Sequence, residues 1–345
     1  MVSARFRADE GARLRDYSGE GRAGFSSGFP NTTASATLSV TSDNRAVAPG
    51  ATLADVSSPD PIRRTRGDLC PGVLRPWPAA DGALVRLRVP GGRVSPASLA
   101  ALHGVAAEYG DDDVHVTTRA NLQVRGLPTR PDGQLPDEVV AAIEATGLLP
   151  APGHELVRNV LVSPLTGLTG GRADLRALTE QLDAGLLADP ALAGLPGRFL
   201  FVLDDGRGDL IDRTCDLGLA ALDAGTAQLR VGPGYADVVS LAEAADRLVA
   251  LAREFVLARG TSPDAPWHIS ELTQPIPASL AGSAPADHRL PKAAPALPYG
   301  PVTGRIEHIE APAGILDRAL IARITGPDVV ELIVTPWRGV LVVSA

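Results

Sequence analysis

The 345-residue chain is short of the residues that would commit it to several common chemistries. Its two cysteines, Cys70 and Cys215, cannot make a disulfide framework. Methionine and lysine are rare, and aromatic residues make up 4% of the chain. No run approaches the roughly 18 apolar residues that a membrane span needs. The opening stretch MVSARFRADEGARLRDYSGEGR lacks the apolar segment of a secretory signal, so a cytoplasmic location is the default expectation. A net charge of −8 leaves no basic excess for a general nucleic-acid binder. The six histidines (His103, His115, His154, His268, His288 and His308) show no i, i+4 metal spacing. Only His154, four residues before Arg158, is singled out for test as a ligand. Gly91-Gly92 and Gly170-Gly171 are turns without a dinucleotide fingerprint, and Asp111-Asp112-Asp113 reads as a solvated turn. Hydrophobic residues at 45% are enough for a sizeable core.

Residues 1–65 are rich in Ser, Thr, Ala, Gly, Asp and Pro with little apolar periodicity, which predicts disorder. Residues 83–89, ALVRLRV, alternate apolar and basic and predict a strand stopped by Pro90-Gly91-Gly92. Ser95 as N-cap and Pro96 at the first position predict a helix over 96–109. Residues 114–124 predict the next strand. On one strand, Arg119, Asn121, Gln123 and Arg125 share a face. Four such groups make a poor core and a good anion surface, and they point to a ligand with several carboxylates. Beyond these, helices are expected at 136–146, 173–188 and 238–259. Strands are expected at 156–162, 198–203, 210–216 and 226–231, with a hairpin turn at Asp204-Asp205-Gly206. Residues 274–300 read as a Pro/Ala-rich linker.

Residues 303–344 repeat the first block. GRIEHIEAP corresponds to VRLRVPGG, Ile315–Ile324 to the helix, and VELIVTPWRGVLVV to VHVTTRANLQVRG. Copies this far apart are not a solenoid. Each alone leaves an open sheet edge, so the two are expected to pair around an inserted domain.

The motifs LVRLRVPGG, VTTRANLQVRG, VRNVLVSP, LPGRFLFVL and IVTPWRGVLV resemble, in this order, the nitrite/sulfite reductase superfamily over residues 66–345. Within it, Asp68-Leu69-Cys70-Pro71-Gly72 and the compact size look most like precorrin-3B synthase, the oxygen-dependent enzyme of cobalamin synthesis. The resemblance implies an α+β fold. Two ferredoxin-like strand–helix–strand half-domains, 66–130 and 301–345, would pair around a tetrapyrrole-binding α+β domain at 131–273. It implies a monooxygenase-type oxidoreductase that hydroxylates precorrin-3A and forms a lactone. The alternatives are a siroheme-dependent nitrite or sulfite reductase fragment and a non-catalytic tetrapyrrole-binding protein.

The family grips tetrapyrrole carboxylates with basic residues. By motif these are Arg86 or Arg88, Arg119, Arg158 with its neighbour Asn159, and Arg198; Asn121, Gln123, Arg125 and Arg338 complete the candidate set. Arginine suits the task because its planar fork binds a carboxylate by two hydrogen bonds. The reductases carry a lysine after the phenylalanine of the LPGRF motif, where this chain has Leu200. The resemblance also implies a [4Fe–4S] cluster and non-haem iron, or siroheme in the alternative, and an electron donor as partner. An all-cysteine cluster needs four thiolates. Cys70 and Cys215 match no cluster spacing, which leaves a truncated member, a cluster segment on another polypeptide, or a cluster-free relative. Cys70, on its loop before Pro-Gly, is a candidate near the substrate, and Cys215 reads as core.

Overall fold

A computed structural model describes Arg64, residues 67–274, Ile276 and residues 284–345. The expectation for residues 1–65, Arg64 apart, lies outside the described residues. The first copy holds β1 (Trp77–Ala79), β2 (Gly82–Leu87), β3 (Arg93–Val94), α1 (Pro96–Tyr109), β4 (Val114–Val116) and β5 (Leu122–Leu127), with α2 (Asp137–Ala145) after it. The middle segment holds β6 (Val160–Val162), α3 (Arg176–Ala188), β7 (Phe201–Asp204), β8 (Leu217–Ala221), β9 (Thr226–Val231), β10 (Gly234–Ser240) and α4 (Leu241–Arg259). The second copy holds β11 (Gly300–Thr303), β12 (Ile306–Glu310), β13 (Ile315–Leu316), α5 (Arg318–Ile324), β14 (Val329–Thr335) and β15 (Gly339–Ser344).

The fold is α+β, with three five-stranded sheets among the described residues. Each copy forms an antiparallel sheet, and each lends its shortest strand to the other. β3 of the first copy pairs with β14, and β13 of the second pairs with β4. This exchange covers the edges that either half alone would expose. The backbone repeats in detail. A Pro-Gly-Gly turn with Gly91 at φ 67° matches a Pro-Ala-Gly turn with Ala313 at φ 55°. Ser95 caps α1 by accepting from the Ser98 amide, as Asp317 caps α5 through the Leu320 amide. Gly92, at φ 72°, passes so close to the Val334 carbonyl that any Cβ would collide with it. That close approach is what lets the chain cross from one sheet to the other.

Core residues of both copies form one apolar cluster, with Val85, Leu99 and Leu122 joined to Leu332, Val334 and Val340. Each such side chain contributes roughly 1.5–3 kcal/mol on burial. The third sheet runs β10-β9-β8-β7-β6, parallel from β6 to β8 and antiparallel from β8 to β10. Its own cluster packs Phe199, Phe201 and Phe255 with leucines of α3 and α4.

Four local expectations are corrected. Residues 114–124 are not one strand but a hairpin, β4–turn–β5. Thr117 closes the turn, its carbonyl accepting from the Ala120 amide and its Oγ1 from the Asn121 amide, while Ala120 takes φ 54°. Asp204-Asp205-Gly206 does not close a hairpin, because β7 and β8 are parallel. Asp204 instead accepts from the amides of Gly206, Gly208 and Leu210 and organises a longer connection, which contains the expected strand 210–216. β10 begins before the expected helix start at Val238, on a polar, partly exposed edge without strong alternation. The described part of the expected linker is held down: the Asp287 amide donates to Gln228 Oε1 at 2.8 Å and the Ala294 amide to the Gly208 carbonyl at 2.9 Å. No described helix is long and apolar enough to cross a membrane.

Candidate functional site: an arginine cleft

On β2, period-two alternation buries Ala83, Val85 and Leu87 in the core and turns Leu84 and Arg86 to the opposite face. Arg88 continues that face. Leu84 and Arg86 line a cleft of about 450 Å³, together with Gly67, Leu69, Cys70, Pro71, Trp77, Arg119, Arg198 and Trp267. Five distant segments therefore converge: the loop at residues 67–72, β1–β2, the β4–β5 turn, the loop before β7 and the loop after α4 that carries Trp267.

Hydrogen bonds fix this convergence. Asn121 Oδ1 accepts from the Val89 amide at 3.0 Å, and its Nδ2 donates to Asn159 Oδ1 at 3.0 Å. Asn159 Nδ2 donates to the Gly197 carbonyl at 2.7 Å. Both asparagines are buried, and they tie the hairpin that carries Arg119 to the loop that carries Arg198. Arg119 Nη1 then donates to the Arg198 carbonyl at 3.0 Å. Asp68 accepts from the Gly197 amide at 2.6 Å and from the Cys70 amide at 3.0 Å. A Cβ on Gly197 would lie 2.6 Å from Cys70 Cβ, so the glycine is what lets the two loops touch. Glu155, buried, receives the Val73 and Leu74 amides and seats the same loop from below.

The electrostatics are lopsided. Arg86 Nη2 donates to Gln123 Oε1 at 3.2 Å, which leaves its buried Nε without a partner among the described residues. Arg88 is 3% exposed. Its Nη1 donates to the Arg86 carbonyl at 3.2 Å, while Nε and Nη2 are buried and unpartnered among the described residues. Burial pushes the Arg88 guanidinium down to about 10, and the charge of Arg86 adds to this. Burial also lowers Arg86, with Arg119 and Arg198 contributing. Both stay protonated near neutrality. Two carboxylates oppose these cations: Asp68 lies 3.6 Å from Arg198 Nε, and the charge of buried Glu155 acts on Arg88 without hydrogen-bonding to it. Cys70 provides no counter-charge, since burial and then Asp68 raise its thiol. A chain of net charge −8 thus keeps a concentrated positive site with buried donors still to be satisfied.

Of the residues expected from sequence, Arg86, Arg119 and Arg198 meet at the cleft, Arg88 lies beneath it and Cys70 is in its wall. Gln123 orients Arg86, and Asn121 and Asn159 are braces that face neither solvent nor the cleft. Three arginines are elsewhere. Arg125 makes an exposed ion pair with Asp81 at the far end of β5. Arg158 is spent on a two-point pair with Asp183 of α3, at 2.6 and 2.7 Å. Arg338 is exposed at φ 60°, in the left-handed position that Ala120 occupies in the first copy. His154 lies away from the cleft lining, its Nε2 3.0 Å from the Asp189 carbonyl, which leaves Nδ1 as its free ring nitrogen among the described residues. Cys215, partly buried, packs against the core as expected, and burial pushes its thiol up to about 11.

Trp77, Trp267 and the Asp216–His268 pair were not foreseen. Trp267 forms a wall of the cleft, with Arg64 stacked 3.7 Å and Arg198 5.0 Å from its ring centre. The only signal for it is a lone Trp-His in an irregular Pro-rich loop, without periodicity or motif.

Register aligns the copies residue by residue. Arg86 faces Gln123 as His308 faces Leu341, and Leu87 faces Leu122 as Ile309 faces Val340. By this correspondence His308, Glu310 and Trp337 stand where Arg86, Arg88 and Arg119 do. Only the first copy carries the cations.

Residues 78–130 match the nitrite/sulfite reductase ferredoxin-like half-domain family. A ferredoxin–nitrite reductase of Synechococcus elongatus is 32% identical over 135 residues, 37% of this chain and 26% of that protein. One from Leptolyngbya laminosa is 29% identical over 130 residues, 35% of this chain and 25% of that protein. The solved NirA protein of Mycobacterium tuberculosis superposes with a TM-score of 0.55 at 18% identity, covering 76% of this chain and 54% of that one. The chain thus spans about a quarter of the length of these curated relatives and about half of that structure. Half-domain and fold together support the nitrite/sulfite reductase superfamily, and these similarities do not show a special closeness to precorrin-3B synthase.

Proposed function

We propose that this chain holds a polycarboxylate tetrapyrrole in the arginine cleft, as the tetrapyrrole-binding part of an oxidoreductase of nitrite/sulfite reductase type. The observation that carries this is Arg88: a charged group buried beneath Arg86, Arg119 and Arg198, with two donor nitrogens, Nε and Nη2, left without a partner among the described residues. A buried cation without a partner is costly. An anionic ligand arm reaching past Arg86 supplies the missing acceptor. The residues fit siroheme, whose acetate and propionate arms Arg86, Arg88, Arg119 and Arg198 would hold. When bound, the iron macrocycle supplies the redox centre. The arginines would hold the arms, and Leu69, Leu84, Trp77 and Trp267 would supply the apolar lining that excludes water. The two cysteines do not fit a [4Fe–4S] cluster: Cys70 sits in the cleft wall and Cys215 against the core. The electron donor proposed is an iron–sulfur protein, following the relatives' name.

A second reading, oxidation of a precorrin by a precorrin-3B synthase-like enzyme, rests on Leu200 and the Asp68–Gly72 loop. Leu200 is buried in the core, at the position where the resembled reductases carry a cationic side chain. Both readings share the cleft. Titration with uroporphyrin III, followed by tryptophan quenching, tests it. Arg86→Ala and Arg119→Ala are each expected to weaken binding 10- to 100-fold, roughly the effect of one charge-assisted hydrogen bond, and Arg125→Ala is expected to leave it unchanged. Equal affinity in all three variants would overturn the proposal. A siroheme absorption band in the purified protein separates the first reading from the second.

A further inference from the structure

We infer that His268 is an additional binding residue of this cleft, donating from Nε2 to a carboxylate of the bound macrocycle. This rests on the tetrapyrrole reading above and adds a group outside the motifs that led to it. His268 follows Trp267, which forms the cleft wall beside Arg198. Asp216, 3% exposed, holds the ring in place. Its Oδ2 accepts from the Leu200 amide at 2.8 Å and its Oδ1 from the Ile269 amide at 2.9 Å. The two oxygens lie 3.3 and 3.2 Å from His268 Nδ1.

One carboxylate thus anchors the histidine to Leu200, two residues after Arg198 and just before β7. A carboxylate at Nδ1 fixes the tautomer, or the charged form, with Nδ1 protonated. Nε2 has no protein partner among the described residues, and the side chain is 34% exposed. A lock that only closed the loop would be complete with Asp216 and the two amides. It leaves the ring's outward nitrogen unexplained.

The charged groups acting on the ring are Asp216, Glu271 and Arg119. The Asp216 hydrogen bond raises the imidazole above its ordinary value, and the Arg119 charge opposes this. Glu271 is itself paired with Arg64. Burial and Asp68 raise the Cys70 thiol. His268, held above the ordinary imidazole value by Asp216, is the group beside the cleft whose hydrogen-bonding capacity changes on protonation nearest the neutral range.

The test is uroporphyrin III binding from pH 6 to 8.5, by tryptophan quenching, for the parent chain, His268→Gln and His268→Arg. Parent affinity is expected to fall about tenfold as pH rises through the histidine's range, the effect of one charge-assisted hydrogen bond. The ligand's carboxylates are largely ionised across this range and do not reverse the trend. His268→Gln is expected to flatten the profile at the weaker level, and His268→Arg to flatten it at the tighter one. A fall that persists in both variants would overturn the inference while leaving the cleft intact. Failure of the parent chain to bind at any pH would overturn the cleft and this inference together. Unchanged thermal midpoints show that the variants fold.

Discussion

Replacing Arg88 by Met separates stability from binding. A guanidinium held at about 10, against an ordinary value above 12, has lost two to three decades of proton affinity to burial. At about 1.4 kcal/mol per decade, its charged form is roughly 3 kcal/mol less comfortable folded than unfolded. At 3% exposure, solvent does little to screen this. Met fills a similar volume and removes the charge. The variant loses one hydrogen bond, from Nη1 to the Arg86 carbonyl, worth about 1 kcal/mol. The ligand-free protein should therefore gain about 2 kcal/mol, read in urea at pH 7, or roughly 4 °C in thermal midpoint for a unit of this size. The sign with pH follows. A base whose folded value is depressed carries its full penalty below that value, so the gain should be flat from pH 6 to 9 and shrink above about 10. Uroporphyrin affinity should fall at least tenfold in the same variant. If Arg88→Met is destabilised by more than 1 kcal/mol, Arg88 is a satisfied structural residue and the main support for the cleft is gone.

Arg158→Ala should cost about 3 kcal/mol by leaving Asp183 without its partner, the low end for a buried pair because Asp183 keeps some solvent; urea curves should show the loss, with affinity of the folded fraction unchanged. Gly197→Ala should cost about 1–3 kcal/mol through the Cys70 contact and weaken tetrapyrrole binding by displacing the Asp68–Gly72 loop; Cys70→Gly in the same chain should restore part of both. Burial pushes Asp209 up to about 7, so the folded state keeps a proton that the unfolded state releases near pH 4. Asp209 therefore lowers stability as pH rises from about 4 to 7, by up to about 4 kcal/mol, and the stability difference between Asp209→Asn and the parent should grow over that window and level off above it.

Much of the scaffold is legible in the chain itself. ALVRLRV shows the two faces of β2, and hence that Arg86 and Arg88 point away from the core together. The Ser-Pro start of α1 and the internal repeat are equally local signals. Arg119 was placed on a strand because Thr-Thr-Arg-Ala-Asn offers no glycine or proline to mark a turn. The bend is made by Thr117 Oγ1 and by Ala120 at φ 54°, which alternation does not reveal. Arg158 illustrates a different limit. A buried arginine serves a ligand or a carboxylate equally well, and Asp183, 25 residues away on α3, decides between them only once α3 packs. Asp216 and His268 meet across 52 residues, through a loop with no periodicity at all.

The two copies make an internal control on what creates the site. They share strand order, register, the left-handed turn positions and even the exchanged short strand. If backbone geometry alone made an anion site, each copy would have one. In the second, His308 replaces Arg86 and is buried between the Pro298 carbonyl and Thr335, and burial disfavours its charged form. Tyr299 packs on its ring at 4.7 Å between centres. Glu310 in place of Arg88 adds a negative charge, and Trp337 in place of Arg119 adds none. Every cation has been exchanged for a group that repels or ignores a carboxylate, yet the sheet survives. The arginines at 86, 88 and 119 are thus not required by the fold they sit on. Their retention in one copy, with one of them buried and partly unsatisfied, is what a bound polyanion explains and packing does not.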